Sequence, residues 1–180
     1  LVLGLVSMVV IARLLRPEEI GLFSVASAFV GMAQVVRDFG VGSYLIQESE
    51  LTRDRIRSAL GVTLVIGCSF FVIMGLLAPV IADFYDEPRL VPLLRILAAS
   101  FLAIPFGSTS LAILRRNMAF RSVVIINIVS VLVSTIVSVG LAWSGVGPAS
   151  LAWGMLAGVT TTAIAALILA GLLPALILTV

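Results

Sequence analysis

The sequence predicts an all-α protein, a polytopic transmembrane helix bundle of about six helices, and three observations predict it. Of 180 residues, 61% are hydrophobic and 11% are charged, where an ordinary soluble domain carries roughly 25% charged residues. The mean hydropathy is +1.26. The charges are also gathered in short clusters that separate long apolar runs, of which Ser58–Ala82 covers 25 residues. In lipid every backbone polar group must be satisfied within its own segment or in a closed barrel. Barrel strands alternate polar and apolar residues over about ten positions, and runs such as Val62–Ile66 and Val123–Ile128 do not alternate. Helices remain.

The elements follow in order. Leu1–Ala12 rises only about 18 Å, against a hydrocarbon core of about 30 Å, and reads as a first helix over about 1–14, truncated at its start. A secretory signal is the competing reading, but no positive region precedes the run and Arg13-Leu14-Leu15-Arg16-Pro17 is no small-residue cleavage site. Pro17 and Gly21 separate it from a second helix over about 18–46. The third helix is expected at 56–82 and the fourth at 90–113, with Pro105 kinking the fourth near Leu102 and Ala103. Nothing from Ser122 to Val180 is charged. At about 20 residues per crossing that interval holds two helices, about 120–143 and 149–172, joined at Gly145-Val146-Gly147-Pro148 because Gly and Pro punctuate chains most strongly. The bundle is one domain over 1–172. Leu173–Val180, interrupted by Pro174, is an apolar tail without an assigned role.

Composition excludes several chemistries. All eleven basic residues are arginine, and lysine and histidine are absent. A phosphate loop ending in Gly-Lys-Ser/Thr, a His-ligated metal and a Ser-His-Asp triad are therefore unavailable. Cys68 is the one cysteine and sits in an apolar run, as inert packing. Apart from Asp38 the acids lie in loops or at helix ends, so catalysis by paired carboxylates has no support. No cofactor, metal or nucleic-acid partner is implied.

Arginine counts orient the chain, since positive residues stay on the cytoplasmic side. The second loop carries Arg53, Arg55 and Arg57, and the fourth carries Arg115, Arg116 and Arg121; the first has Arg13 and Arg16, the third Arg89, the fifth none. The even loops and the amino terminus are expected inside. The basic loops can also attract anionic lipid or a pyrophosphate head group.

Arg37-Asp38 is the most informative pair, because 17 uncharged residues precede it. Arg or Asp at the centre of a span costs on the order of 2.5–3.5 kcal/mol and usually faces a protein interior or a water-filled cavity. The pair therefore reads either as a cavity lining that meets an anionic head group or as an interfacial arginine that snorkels. Arg95 is the second candidate, inward-facing or an anchor depending on where its helix starts. Arg13, Arg16, Glu18 and Glu19 form a mixed-charge outer turn, most simply a solvated loop and alternatively an external gate, with Arg13, Arg16 and Glu18 as the gate candidates. Gly154 and Gly158 have the small-xxx-small spacing of close helix packing. Trp143 and Trp153 bracket the fifth loop as an interface belt does.

Four phrases, in order, carry a resemblance. They are Ile11-Ala12-Arg13-Leu14-Leu15-Arg16-Pro17-Glu18-Glu19-Ile20-Gly21-Leu22-Phe23; Arg37-Asp38-Phe39-Gly40-Val41-Gly42-Ser43-Tyr44-Leu45-Ile46-Gln47; Ala78-Pro79 with Phe84-Tyr85-Asp86-Glu87-Pro88; and Leu114-Arg115-Arg116-Asn117-Met118-Ala119-Phe120. Over about residues 10–160 the chain resembles the polysaccharide transport (oligosaccharide flippase) family of the multidrug/oligosaccharidyl-lipid/polysaccharide (MOP) exporter superfamily. The resemblance implies one lobe of a two-lobed MOP-type transporter that moves undecaprenyl-diphosphate-linked oligosaccharide across the bacterial inner membrane. It implies no enzymatic activity. Its partners would be that lipid-linked oligosaccharide, membrane lipid, and a second lobe or second copy, because one lobe cannot enclose a central cavity. Arg37, Asp38 and Arg95 would then line the cavity. The charge-free tail departs from the basic linker that such a lobe would carry after its sixth helix. The rival functions are a multidrug exporter, which would want acidic residues within its spans, a membrane enzyme on lipid-linked sugars, which would want large external loops, and a bundle with no transport role.

Overall fold

The computed structural model describes residues 13–38, 53–116 and 118–169. Six helices are fully placed among the described residues: α1 Pro17–Asp38, α2 Arg53–Phe84, α3 Leu90–Ala98, α4 Ser100–Arg116, α5 Phe120–Trp143 and α6 Ala149–Leu169. They provide five segments long and apolar enough to cross a membrane, since α3 and α4 together make one, Leu90–Ala112. About six spans were expected. The first of those, over 1–14, lies almost wholly outside the described residues, as do the continuation of the second helix to Ile46 and the tail 173–180.

Helix α1 starts where its chemistry favours a start. Pro17 is the first helical residue, where its missing N–H costs nothing, and the Glu19 carboxylate accepts a 2.8 Å hydrogen bond from the Arg16 backbone N–H. That return from the third helical position to the capping residue is half of a capping box. Ala26 and Val30, one turn apart, are buried. Helix α2 has 32 residues, of which Leu60–Phe84 is the membrane-length part. Its first two turns, with Arg53, Arg55 and Arg57, are thus left at one end of the bundle. Leu60, Gly67 and Met74 recur at sevens and lead into Ala78 and Ala82, one buried stripe.

The α3–α4 span is the centre of the fold. Leu90, Leu93, Leu94, Leu97, Ala98 and Phe101 are all buried, the i, i+3, i+4, i+7 pattern of a core-facing helix. They pack with Ala26, Val30, Met74, Ala78, Ala82 and Ala152. The break in this span falls at Ala99, earlier than the kink expected at Leu102 and Ala103. Pro105 cannot donate to the Phe101 carbonyl, and the strain is relieved one turn upstream. There Leu102 N–H bonds back to the Ala99 carbonyl at 3.1 Å and the Ser100 hydroxyl donates to the Leu97 carbonyl at 2.6 Å. The freed Phe101 carbonyl faces Gly67, where a Cβ would stand 2.5 Å from it and 3.2 Å from the Pro105 ring. Gly67→Val is accordingly expected to destabilise the bundle by at least about 1–3 kcal/mol, the usual cost of overpacking, read as a lowered melting temperature in detergent. Melting at the wild-type temperature would contradict the packing.

Helices α5 and α6 form an antiparallel hairpin with the expected boundary at 143 and the expected turn, in which Gly145 and Gly147 adopt φ of +77° and +69°. Ser130, Ser134 and Ser138 on α5 face Thr162, Gly158 and Gly154 on α6 in reverse order. Leu114, Ile126 and Ala166 form a smaller core at the other end of this pair.

The outward faces are apolar, the inverse of a water-soluble bundle. Val65, Leu76, Ile136 and Ile164 are all exposed, as lipid-facing side chains must be.

Candidate functional site

Helices α1, α4 and α6 run in the same direction and leave a cleft between them. Gln34 from α1, Gly107 and Ser108 from α4, and Thr162 from α6 supply its polar surface around about 290 Å³. Ile104, Leu111, Met155 and Val159 complete the wall, and no lining residue is charged. Close helix approach forms its floor: a Cβ on Gly107 would sit 3.5 Å from the Ala163 Cα. The Ser108 hydroxyl donates to the Pro105 carbonyl at 3.2 Å. Thr162 Oγ1 lies 2.8 Å from Ser130 Oγ and 2.9 Å from the Gly158 carbonyl; its single proton serves one of them and leaves acceptor capacity over. Gln34 is half-buried, and among the described residues its amide has no hydrogen-bond partner. On the neighbouring faces of α4, the buried hydroxyls of Thr109 and Ser110 also lack partners.

The Arg37-Asp38 pair occupies the last described turn of α1. Pro17–Val36 by itself gives 20 residues of apolar span, about 30 Å at ~1.5 Å per residue. The pair follows directly on that membrane-length stretch, three and four residues beyond Gln34 in the same helix.

Arg95 is not brought to the pair. It is exposed on the face of α3 opposite the buried Leu90, Leu93, Leu94 and Leu97 stripe. Using the shared cleft as a level mark, Arg37 lies three residues past Gln34 and Arg95 twelve residues before Gly107. At ~1.5 Å per residue they are about 22 Å apart along the helix axes. One head group cannot touch both at once.

In the turn at the start of α1, Arg13, Arg16 and Glu18 are exposed, and among the described residues none of them forms an ion pair. Glu19, the fourth residue of that mixed-charge turn, makes the connection. It accepts from Arg16 N–H and stands against the α5–α6 turn, where a Cβ on Gly147 would be 3.0 Å from its Oε1. At the opposite end, Arg53, Arg55 and Arg57 open α2, Arg115 and Arg116 close α4, and Arg121 follows the start of α5. A second cavity of about 360 Å³, bordered by Ser24, Phe29, Met32 and Tyr85, is likewise mostly apolar. Its Ser24 hydroxyl is bonded to the Ile20 carbonyl at 2.8 Å. Among the described residues no cluster of His, Cys, Asp or Glu could hold a metal ion.

Five membrane-length apolar helical segments with apolar outer faces, an uncharged and mostly apolar cleft between them, and arginines concentrated at one end define a multi-pass membrane protein. The chain belongs to the polysaccharide biosynthesis protein family, whose profile matches residues 10–178. It is 30% identical over 130 residues to the lipopolysaccharide biosynthesis protein WzxC of Escherichia coli strain K12, covering 72% of this chain and 26% of that protein. It is 36% identical over 98 residues to the teichuronic acid biosynthesis protein TuaB of Bacillus subtilis strain 168, covering 54% and 20%. It is 27% identical over 165 residues to the succinoglycan biosynthesis transport protein ExoT of Rhizobium meliloti strain 1021, covering 90% and 32%. The matched part is thus a third or less of each relative. No solved structure matches.

Proposed function

We propose that the protein containing this chain is a flippase, translocating undecaprenyl-diphosphate-linked oligosaccharide across the bacterial inner membrane for polysaccharide biosynthesis. The observation that supports the reading is the Arg37-Asp38 pair, which follows the membrane-length stretch Pro17–Val36 within about one turn of Gln34 in α1. A diphosphate on a lipid rests at that level, its chain in hydrocarbon and its charge at the interface. The arginine excess at the same end favours a cytoplasmic assignment, so Arg37 would receive the diphosphate on its leaflet of origin. Arg95, near the other surface, would meet it later in the passage. Arg13, Arg16 and Glu18 border the outer exit, while Arg53, Arg55, Arg57, Arg115 and Arg116 gather anionic head groups at the entrance. A relative named as a transport protein supports transport over synthesis. A second lobe or second copy would close the path on the side this chain leaves open.

Cells lacking the protein are expected to keep the lipid-linked oligosaccharide but hold it on the cytoplasmic leaflet, with surface polysaccharide lost and restored by the wild-type gene. Unchanged surface polysaccharide contradicts the reading. Loss of the lipid-linked precursor itself would indicate a synthetic enzyme instead.

A further inference from the structure

The geometry points to the Gln34–Ser108–Thr162 cleft as the subsite that reads the sugar part of the cargo, separately from the Arg37-Asp38 end that holds its charge. This rests on the flippase reading and adds to it the residues that discriminate among glycans. Three observations argue for it.

A polar group left unpaired in hydrocarbon costs several kcal/mol, and among the described residues the half-buried Gln34 amide has no hydrogen-bond partner. Acyl chains cannot satisfy it; water or a hydroxylated ligand can. The volume of about 290 Å³ is room for about ten waters at ~30 Å³ each, enough for a sugar ring with its hydroxyls. The occupant is uncharged, because no lining residue carries a charge to match an ion or a phosphate. An amide offers a donor and an acceptor side by side, and the Ser108 and Thr162 hydroxyls, whose protons are already engaged within the bundle, add acceptors. That is the complement of neighbouring sugar hydroxyls. Ile104, Leu111 and Met155 meanwhile present apolar surface to the C–H faces of a ring.

Position supplies the third argument. Gln34 lies about one turn before Arg37 and Asp38 in α1. A head group held at that pair would therefore have its sugars against the cleft. No phosphate could substitute for the sugar there without a cation to meet it, and a neutral lipid tail would leave the amide unsatisfied.

The test measures binding of two probes to the purified natural protein: polyprenyl diphosphate bearing the oligosaccharide, and the same polyprenyl diphosphate without sugar. The wild type is expected to bind the glycosylated lipid more tightly. Gln34→Met and Ser108→Ala should each reduce that preference roughly three- to tenfold, the value of one neutral hydrogen bond, while affinity for the bare lipid stays unchanged and so reports that the variants are folded. Gln34→Asn, which keeps the amide, should retain part of the preference. Arg37→Ala should weaken both probes alike. Equal binding of both probes by the wild type overturns the sugar subsite and leaves the diphosphate reading standing. A proportional loss of both probes in the cleft variants likewise assigns the cleft to packing and overturns it. Binding of neither probe by the wild type removes the flippase reading and this inference with it.

Discussion

Gly154→Leu is expected to leave no assembled bundle. The seam between α5 and α6 is built from residues with almost no side chain, and Gly154 is its tightest point. A Cβ there would collide with the Ser138 hydroxyl and stand 2.8 Å from the Ser134 carbonyl oxygen. A serine hydroxyl can rotate away, but a backbone carbonyl inside a helix cannot. At Gly158 the contact is 3.1 Å to the Ser134 Cβ, so that site tolerates less than a methyl group without movement. In lipid, helix association depends on such close backbone approach and on interhelical hydrogen bonds rather than on expelling apolar surface from water. Separating the seam also loses the Thr162–Ser130 bond at 2.8 Å. Gly154→Ala should lower the melting temperature, at a cost of about 1–3 kcal/mol. Leucine, larger by three further carbons, should yield only aggregate by size-exclusion chromatography in detergent. Gly75→Ala and Gly140→Ala are the controls, because neither position has a heavy atom within 4 Å of the added carbon. They should melt at or slightly above the wild-type temperature, since alanine favours a helix over glycine by roughly 1 kcal/mol. A monodisperse Gly154→Leu protein with wild-type melting would contradict the seam.

The second large effect is expected at Arg37. On the proposed flippase reading, replacing it with alanine removes a charge-assisted contact to the diphosphate worth about 1.5–3 kcal/mol, which is a ten- to hundredfold loss of cargo affinity. Arg37→Lys should recover only part of it, because an ammonium is a point charge while a guanidinium can grip two phosphate oxygens at once. Arg95 stands about 22 Å from Arg37 along the helix axes. Arg95→Ala is therefore expected to leave cargo binding at the cytoplasmic end intact and to slow its appearance at the other surface. If the two alanine variants gave the same loss of binding, a single head-group site would exist and the separation in depth would have no functional meaning.

Much of this fold was legible because lipid imposes strong rules. The α5 boundaries at 120 and 143 and the glycine turn after them follow from a charge-free interval too long for one crossing. The Gly154–Gly158 spacing also pointed to close packing. Its partner stripe, Ser130-Ser134-Ser138, repeats every fourth residue and could have been read as the other half of the seam. The break at Ala99 could not be placed from Pro105 alone, since the position where a helix yields depends on what the freed Phe101 carbonyl packs against, and that is Gly67 on another helix. At the site, Arg37 and Asp38 were visible as charges beyond a long apolar run. Their level was not, because the sequence pattern ran on past Asp38 while Pro17–Val36 already suffices to cross. Arg95 carried no signal of its facing until the buried leucines beside it fixed which side of α3 turns inward. Gln34 was the missed residue. A lone amide in an apolar run is a detectable anomaly, but only the convergence of α1, α4 and α6 gives it a cleft.

The most direct measurement is translocation in vesicles. The purified natural protein is reconstituted with fluorescent undecaprenyl-diphosphate oligosaccharide in the inner leaflet, and arrival at the outer leaflet is followed by a sugar-modifying reagent that cannot cross the bilayer. Transfer is expected with the wild type and should be lost with Arg37→Ala. Vesicles containing wild-type protein in which the sugar stays as protected as in protein-free vesicles would contradict the account.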